Sequence, residues 1–171
     1  LKIASNKFLM KNEFLRCNVP TAKYRLISRL NEDDIVHVGF PNVLKIVSGS
    51  GSEFILVNHN NIELKTNFEK LRDAVLKSDD HNWFCEREMP KIGERTVIDT
   101  RREVLLEEFL KGEEYSCDFI IDNSVRIIRV VKKYNLAHIG FFRGFYLLNP
   151  ASIRRFGIDM NTLKDTCVKI A

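Results

Sequence analysis

The stretch Val43-Leu-Lys-Ile-Val-Ser-Gly-Ser-Gly-Ser52 decides how this chain is read. Its first five residues are aliphatic and mostly β-branched, the pattern of a buried strand. One lysine, Lys45, interrupts the run. A charge on a buried strand is costly unless it is paired, so this lysine has a purpose. The strand then passes into alternating Ser and Gly. That loop has two readings. One is a plain hairpin turn, with Glu53 to Asn58 returning as the partner strand. The other is a nest of backbone N–H groups around an anion, because Gly adopts the positive φ angles such a nest requires.

A second stretch, Leu105-Leu-Glu-Glu-Phe-Leu-Lys-Gly-Glu-Glu114, is a strand that breaks into acids. Strands are expected over Val104 to Phe109, Tyr115 to Ile121 and Val125 to Val131, the last two joined by an Asp122-Asn123 turn. Upstream, Phe8, Leu9, Phe14 and Leu15 recur at helical spacing behind Asn6, a helix-capping residue type, and Pro20 ends that segment. Tyr24 to Ile27 reads as a short strand and Asn31 to Val36 as a short helix. Leu64 to Leu76 reads as an amphipathic helix with Phe68, Leu71, Val75 and Leu76 inward. Residues 78 to 100 are irregular, with Trp83 as their anchor. Tyr134 to Gly144 is aromatic and glycine-containing, a candidate mobile loop. A helix starts at Asn149-Pro150 and continues after Gly157 as Met160 to Ile170. The mixture is α+β.

The chain has 171 residues, 44% apolar and 29% charged, which suits a folded protein with a core rather than disorder. Its net charge of +4 is dispersed and forms no basic stripe with interleaved aromatics, so no nucleic-acid partner is expected. Cys17, Cys85, Cys117 and Cys167 lie far apart without CxxC spacing, and no histidine pairs with them at ligand spacing. Reduced, buried thiols are expected, with no metal site. No apolar run reaches the roughly 18 residues of a membrane span, and no signal peptide opens the chain. The expected location is cytoplasmic.

Four segments in order carry a family resemblance. Asn6-Lys7 with the apolar helix up to Pro20, Phe40-Pro-Asn-Val-Leu-Lys45, Ser48 to Ser52, and Leu106-Glu-Glu-Phe-Leu-Lys-Gly112 with Glu114 and Asp118 together resemble the ATP-grasp superfamily. The branch they are similar to is that of carbamoyl-phosphate synthase and biotin carboxylase. The resemblance covers nearly the whole chain. It implies a helix and a small glycine-loop lobe over residues 1 to 104. An adenine hinge and the beginning of a second, truncated lobe would occupy 105 to 171, with antiparallel sheets and flanking helices.

What the resemblance implies for single residues follows. Lys45 contacts the α-phosphate and the purine edge, and Lys7 the outer phosphates. Ser48, Gly49, Ser50, Gly51 and Ser52 cover the phosphates. In the hinge Glu107, Glu108, Phe109 and Leu110, the Glu108 carbonyl takes the adenine amine and the Leu110 N–H serves a ring nitrogen. Phe109 and Ile46 pack on the purine. Glu114 takes the ribose hydroxyls, with a solvated strand-end acid as the other reading and Glu113 as a substitute in a slipped register. Glu53, where relatives often carry Arg, Lys or a small residue, either points away from the phosphates or weakens the loop's grip. Arg129 and Lys132 could line the reactive end of the cleft, but as strand-face charges they read as solvated. Lys45, taken as an unpaired buried charge, should hardly affect stability when removed.

The implied function is the ATP-binding part of an ATP-dependent carboxylate–amine ligase that forms an acylphosphate. ATP and an unknown carboxylate are the partners. The family's magnesium-holding Glu and Glu-x-Asn element would lie beyond Ala171, so Mg²⁺ is expected only in a full-length parent. The fragment alone is expected to be inactive, with no assignable catalytic residue. The alternative is a degenerate ATP-grasp domain, a non-catalytic module that binds nucleotide or a partner.

Overall fold

The computed structural model describes residues 3, 5–48, 54–77, 87–91, 94–135 and 142–171. The chain divides into two compact units. The first comprises Leu1–Glu13 and Thr21–Leu110, the second Phe14–Pro20 and Lys111–Ala171.

The first unit holds most of helix α1 (Lys7–Arg16), then β1 (Tyr24–Ile27), α2 (Glu32–Val38), β2 (Asn42–Ile46), β3 (Ile55–Asn58), α3 (Asn61–Lys77), β4 (Arg87–Lys91), β5 (Glu94–Ile98) and β6 (Val104–Glu108). Four strands form an antiparallel sheet in the order β1-β6-β2-β3, and β4 and β5 form a separate hairpin. β6 sits between β1 and β2. The expected boundary at residue 104 therefore moves to Leu110, because a strand paired on both edges cannot belong to another unit.

Side chains alternate across a strand, and here each face has its own task. Leu44 and Ile46 of β2, Val104 and Leu106 of β6, and Ile27 of β1 form one face. They pack on Val38 of α2 and on Leu64, Phe68, Leu71 and Val75 of α3, spaced as a helical stripe. Leu44, Leu64, Leu71 and Leu106 are at most 1% exposed, and such burial contributes about 1.5–3 kcal/mol per side chain. Leu76 was expected inward but is 64% exposed, one position off that stripe. α2 stops at Gly39, which takes φ 79° and donates its N–H to Ile35 O at 2.7 Å.

A chain of amides locks β2, β3 and α3 together. Asn58 Nδ2 donates to Asn42 Oδ1 at 2.9 Å, Asn67 Nδ2 to Asn58 Oδ1 at 2.8 Å, and Asn42 Nδ2 to Gly39 O at 2.9 Å. Asn42 and Asn58 are fully buried, so these bonds replace lost water.

The opposite face of the sheet carries Tyr24, Val43, Lys45, Leu105 and Glu107, in register with one another across β1, β6 and β2. Here Leu9 of α1 packs with Val47, Ile98, Phe8 and Leu26. This face mixes charge with apolar contact.

The second unit contains β7 (Glu114–Asp122), β8 (Ser124–Asn135) and β9 (Phe142–Leu147), antiparallel in that order, then α4 (Pro150–Arg155) and α5 (Met160–Ile170). Asp122 pairs with Ser124 around Asn123, whose φ of 48° makes the tight turn. The segment expected as a loop instead extends β8 through Asn135 and contributes Phe142 onward to β9; residues 136–141 lie outside those described. α4 is capped by Asn149, whose side chain accepts from Ser152 N at 2.8 Å, and α5 by Asp159. Gly157, at φ 67°, separates two helices where one interrupted helix was expected.

Candidate functional site

The mixed face is built from α1 upward. Asn6 Oδ1 accepts from Phe8 N at 3.1 Å and Leu9 N at 3.0 Å, closing two of the helix's open N–H groups. Asn6 also bridges the backbone of Ser48, and Lys7 N donates to Val47 O at 2.9 Å. The first turn of α1 is thereby stitched to the end of β2. Lys7 and Lys11, four residues apart, share a face of the helix.

Glu107 of β6 stands opposite Tyr24 and Val43. Its Oε1 is paired with Lys45 Nζ, and its Oε2 lies 2.9 Å from Lys11 Nζ. The field of Lys45 and of Glu107 also reaches Lys7. Burial holds the Lys7 ammonium below the usual lysine range; Lys45 lowers it further, and Glu107 partly offsets both. Three ammonium groups thus gather near one carboxylate on this face.

Two buried polar atoms at the 6–48 bridge have no hydrogen-bond partner among the described residues: Asn6 Nδ2 and Ser48 Oγ. A buried donor left unmet costs about 1–3 kcal/mol, so such groups call for a reason. Together with the lysines they make the face rich in donors. Chemically this suits an anion with several oxygens.

Of the residues singled out from the sequence, Lys7, Lys45, Ser48 and Glu107 are brought together here. Gly49, Ser50, Gly51 and Ser52, with Glu53, lie outside the described residues. The segment after Glu107 is fixed through its backbone. Glu108 N donates to Lys23 O at 2.9 Å and Phe109 N to Pro41 O at 3.1 Å, while Leu110 is 65% exposed. Ile46, expected at the purine, points into the core with α3 instead. A groove of about 490 Å³ lined by Arg29, Phe68 and Arg72 belongs to that α3 face of the sheet.

Lys45 is not the unpaired charge expected of it, because Glu107 answers it. Sequence reasoning also missed Lys11, which is 7% exposed, donates to Thr21 Oγ1 at 3.0 Å and lies 5.4 Å from the Tyr24 ring centre. The one available signal was its position a helical turn after Lys7.

In the second unit Glu114, the first residue of β7, is exposed and takes Lys133 Nζ at 2.7 Å. Glu113 binds Lys132 and accepts the Tyr115 hydroxyl at 2.6 Å; both bonds hold its carboxyl below the usual range. Lys132, expected on a solvated face, is buried beneath Phe156, Tyr134 and Tyr115, the first at 4.3 Å. Arg129 is solvated and pairs with Asp118. Cys117 Sγ lies 3.9 Å from buried Cys167 Sγ; desolvation first, then that neighbour, pushes the Cys117 thiol up to about 11.

No protein-family model and no characterised protein sequence matches the chain. Solved structures do. The chain is similar to a D-alanine–D-alanine ligase from Bacillus anthracis complexed with ATP, at 18% identity and TM-score 0.62 over 98% of this chain and 47% of that one. An L-amino acid ligase from Bacillus licheniformis matches at 15% identity and TM-score 0.66 over 99% of this chain and 37% of the other. N5-carboxyaminoimidazole synthetase from Staphylococcus aureus, complexed with ADP, matches at 13% and 0.66 with the same coverage. The chain spans less than half the length of each.

Proposed function

We propose that this chain, which has the ATP-grasp fold, is the adenine-nucleotide-binding part of an ATP-dependent carboxylate–amine ligase. The supporting observation is the convergence of Lys7, Lys11 and Lys45 around Glu107. Lys45 and Lys7 would meet the phosphates, and Ser48 and the Ser-Gly segment after it would add donors. Residues Glu107 to Leu110 would line the adenine, and Glu114 would take the ribose. In the carbamoyl-phosphate-synthase-like reading, the terminal phosphoryl group passes to a carboxylate oxygen and the resulting acylphosphate is opened by an amine. Such transfer is mostly positioning and charge neutralisation, which fixed lysines supply.

The alternative is a module that binds nucleotide without turnover. Titration calorimetry and turnover of the full-length parent distinguish it from the ligase.

The test is titration calorimetry with a non-hydrolysable ATP analogue. Lys45→Ala should weaken binding about ten- to a hundredfold, the worth of a charge-assisted phosphate contact. An unchanged affinity in that variant, or none in the unaltered chain, would remove the nucleotide role.

A further inference from the structure

We infer that Lys11 is a positioning residue of this site: it anchors one oxygen of Glu107 so that Lys45 can release the other and turn to an incoming phosphate. The inference rests on the nucleotide reading above and adds a residue and a step to it.

The two lysines on Glu107 are not equivalent. Lys11 is held three ways, by Glu107 Oε2 at 2.9 Å, by Thr21 Oγ1 at 3.0 Å and by the Tyr24 ring at 5.4 Å. Tyr24 is itself fixed, its hydroxyl donating to Asn12 Oδ1 at 2.6 Å. Lys45 has one partner among the described residues, Glu107, and an ammonium carries three donors. Lys45 can therefore reorient; Lys11 cannot without giving up its other contacts.

Release of Lys45 would ordinarily be expensive. Glu107 is 12% exposed at its side chain, and a buried carboxylate stripped of its only cation is strongly disfavoured. Because Lys11 stays on the second oxygen, the carboxylate keeps a counter-ion throughout. Without Lys11, Glu107 would hold Lys45 and compete directly with phosphate.

The prediction is a non-additive pair. By calorimetry with the non-hydrolysable ATP analogue, Lys11→Met should weaken binding about tenfold, a change of roughly 1.4 kcal/mol. In a Glu107→Gln background the same substitution should have almost no effect, since no carboxylate remains to compete. Equal weakening in both backgrounds would mean that Lys11 contributes only its charge, and would overturn the inference. If Lys11→Met does not fold, Lys11→Arg keeps the anchor and should bind within about threefold of the unaltered chain; a tenfold loss there would also overturn it. An unaltered chain that binds no nucleotide defeats the functional reading instead, and the anchor is then decided by melting. Lys11→Met and Lys45→Met should together lower Tm by more than the sum of the singles, an excess that vanishes with Glu107→Gln. Simple additivity in that series rejects the anchor.

Discussion

Two lysine–glutamate clusters, one in each unit, differ in how exposed the acid is. In the second unit the lysine is buried: Lys132 lies under three rings while Glu113 remains 58% exposed at its side chain. In the first unit the acid too is nearly enclosed: Glu107 is 12% exposed at its side chain and is divided between buried Lys11 and partly buried Lys45. A caged cation has its surroundings satisfied and nothing left to offer. A shared anion leaves spare N–H groups on the lysine that is least tied down. Similar residues thus make a closed strut in one place and an open grip in the other.

The largest expected effect separates the two acids. Glu107→Ala strips the counter-ion from buried Lys11 and partly buried Lys45 and should cost about 3–5 kcal/mol in urea denaturation. Glu113→Ala removes an exposed carboxylate and should lower the midpoint far less. Equal losses would break the comparison. Next comes Lys132→Met, which should lower Tm while leaving affinity for the ATP analogue unchanged; a parallel loss of affinity would mean that the caged lysine also serves the ligand.

The smallest effect is a proton. Lys7 titrates below its ordinary 10.5 in the free protein. Its protonated form is therefore disfavoured by folding, and that cost fades as pH rises through the lowered value. A bound polyanion reverses the shift. Binding should then take up protons at alkaline pH and weaken as pH climbs through the lowered Lys7 range. Calorimetry in two buffers of different ionisation enthalpy measures the uptake, and Lys7→Met should abolish it. No uptake in the unaltered chain would place Lys7 away from the ligand.

Much of the sheet was legible because β-branched runs such as Val43 to Val47 and Val125 to Val131 specify strands locally. Asn6 was legible as a cap for the same reason. Lys11 was not, because a lysine in a helix ordinarily reads as solvated, and its burial depends on Glu107, a strand away in space and far along the chain. Lys132 failed likewise, since three aromatic residues from separate segments enclose it. β9 was hidden by Gly144 and by aromatics that weaken any period-two signal. The boundary was misplaced because the acids ending β6 resemble the start of a linker, whereas pairing with β1 and β2 keeps that strand in the first unit.

The linked amides of Asn42, Asn58 and Asn67 have a consequence for how the site is assembled. A hairpin of aliphatic strands can zip up one step out of alignment with little loss of apolar contact. Such a slip would turn β2 over. Lys45 would then enter the space among Leu64, Phe68 and Leu71, and the amides would face nothing that accepts them. Both errors are penalised at once, one by a stranded charge and the other by unmet hydrogen bonds. The asparagines therefore act as a proofreading device for the β2–β3 alignment, discarding every misaligned hairpin that would have pointed the lysine the wrong way.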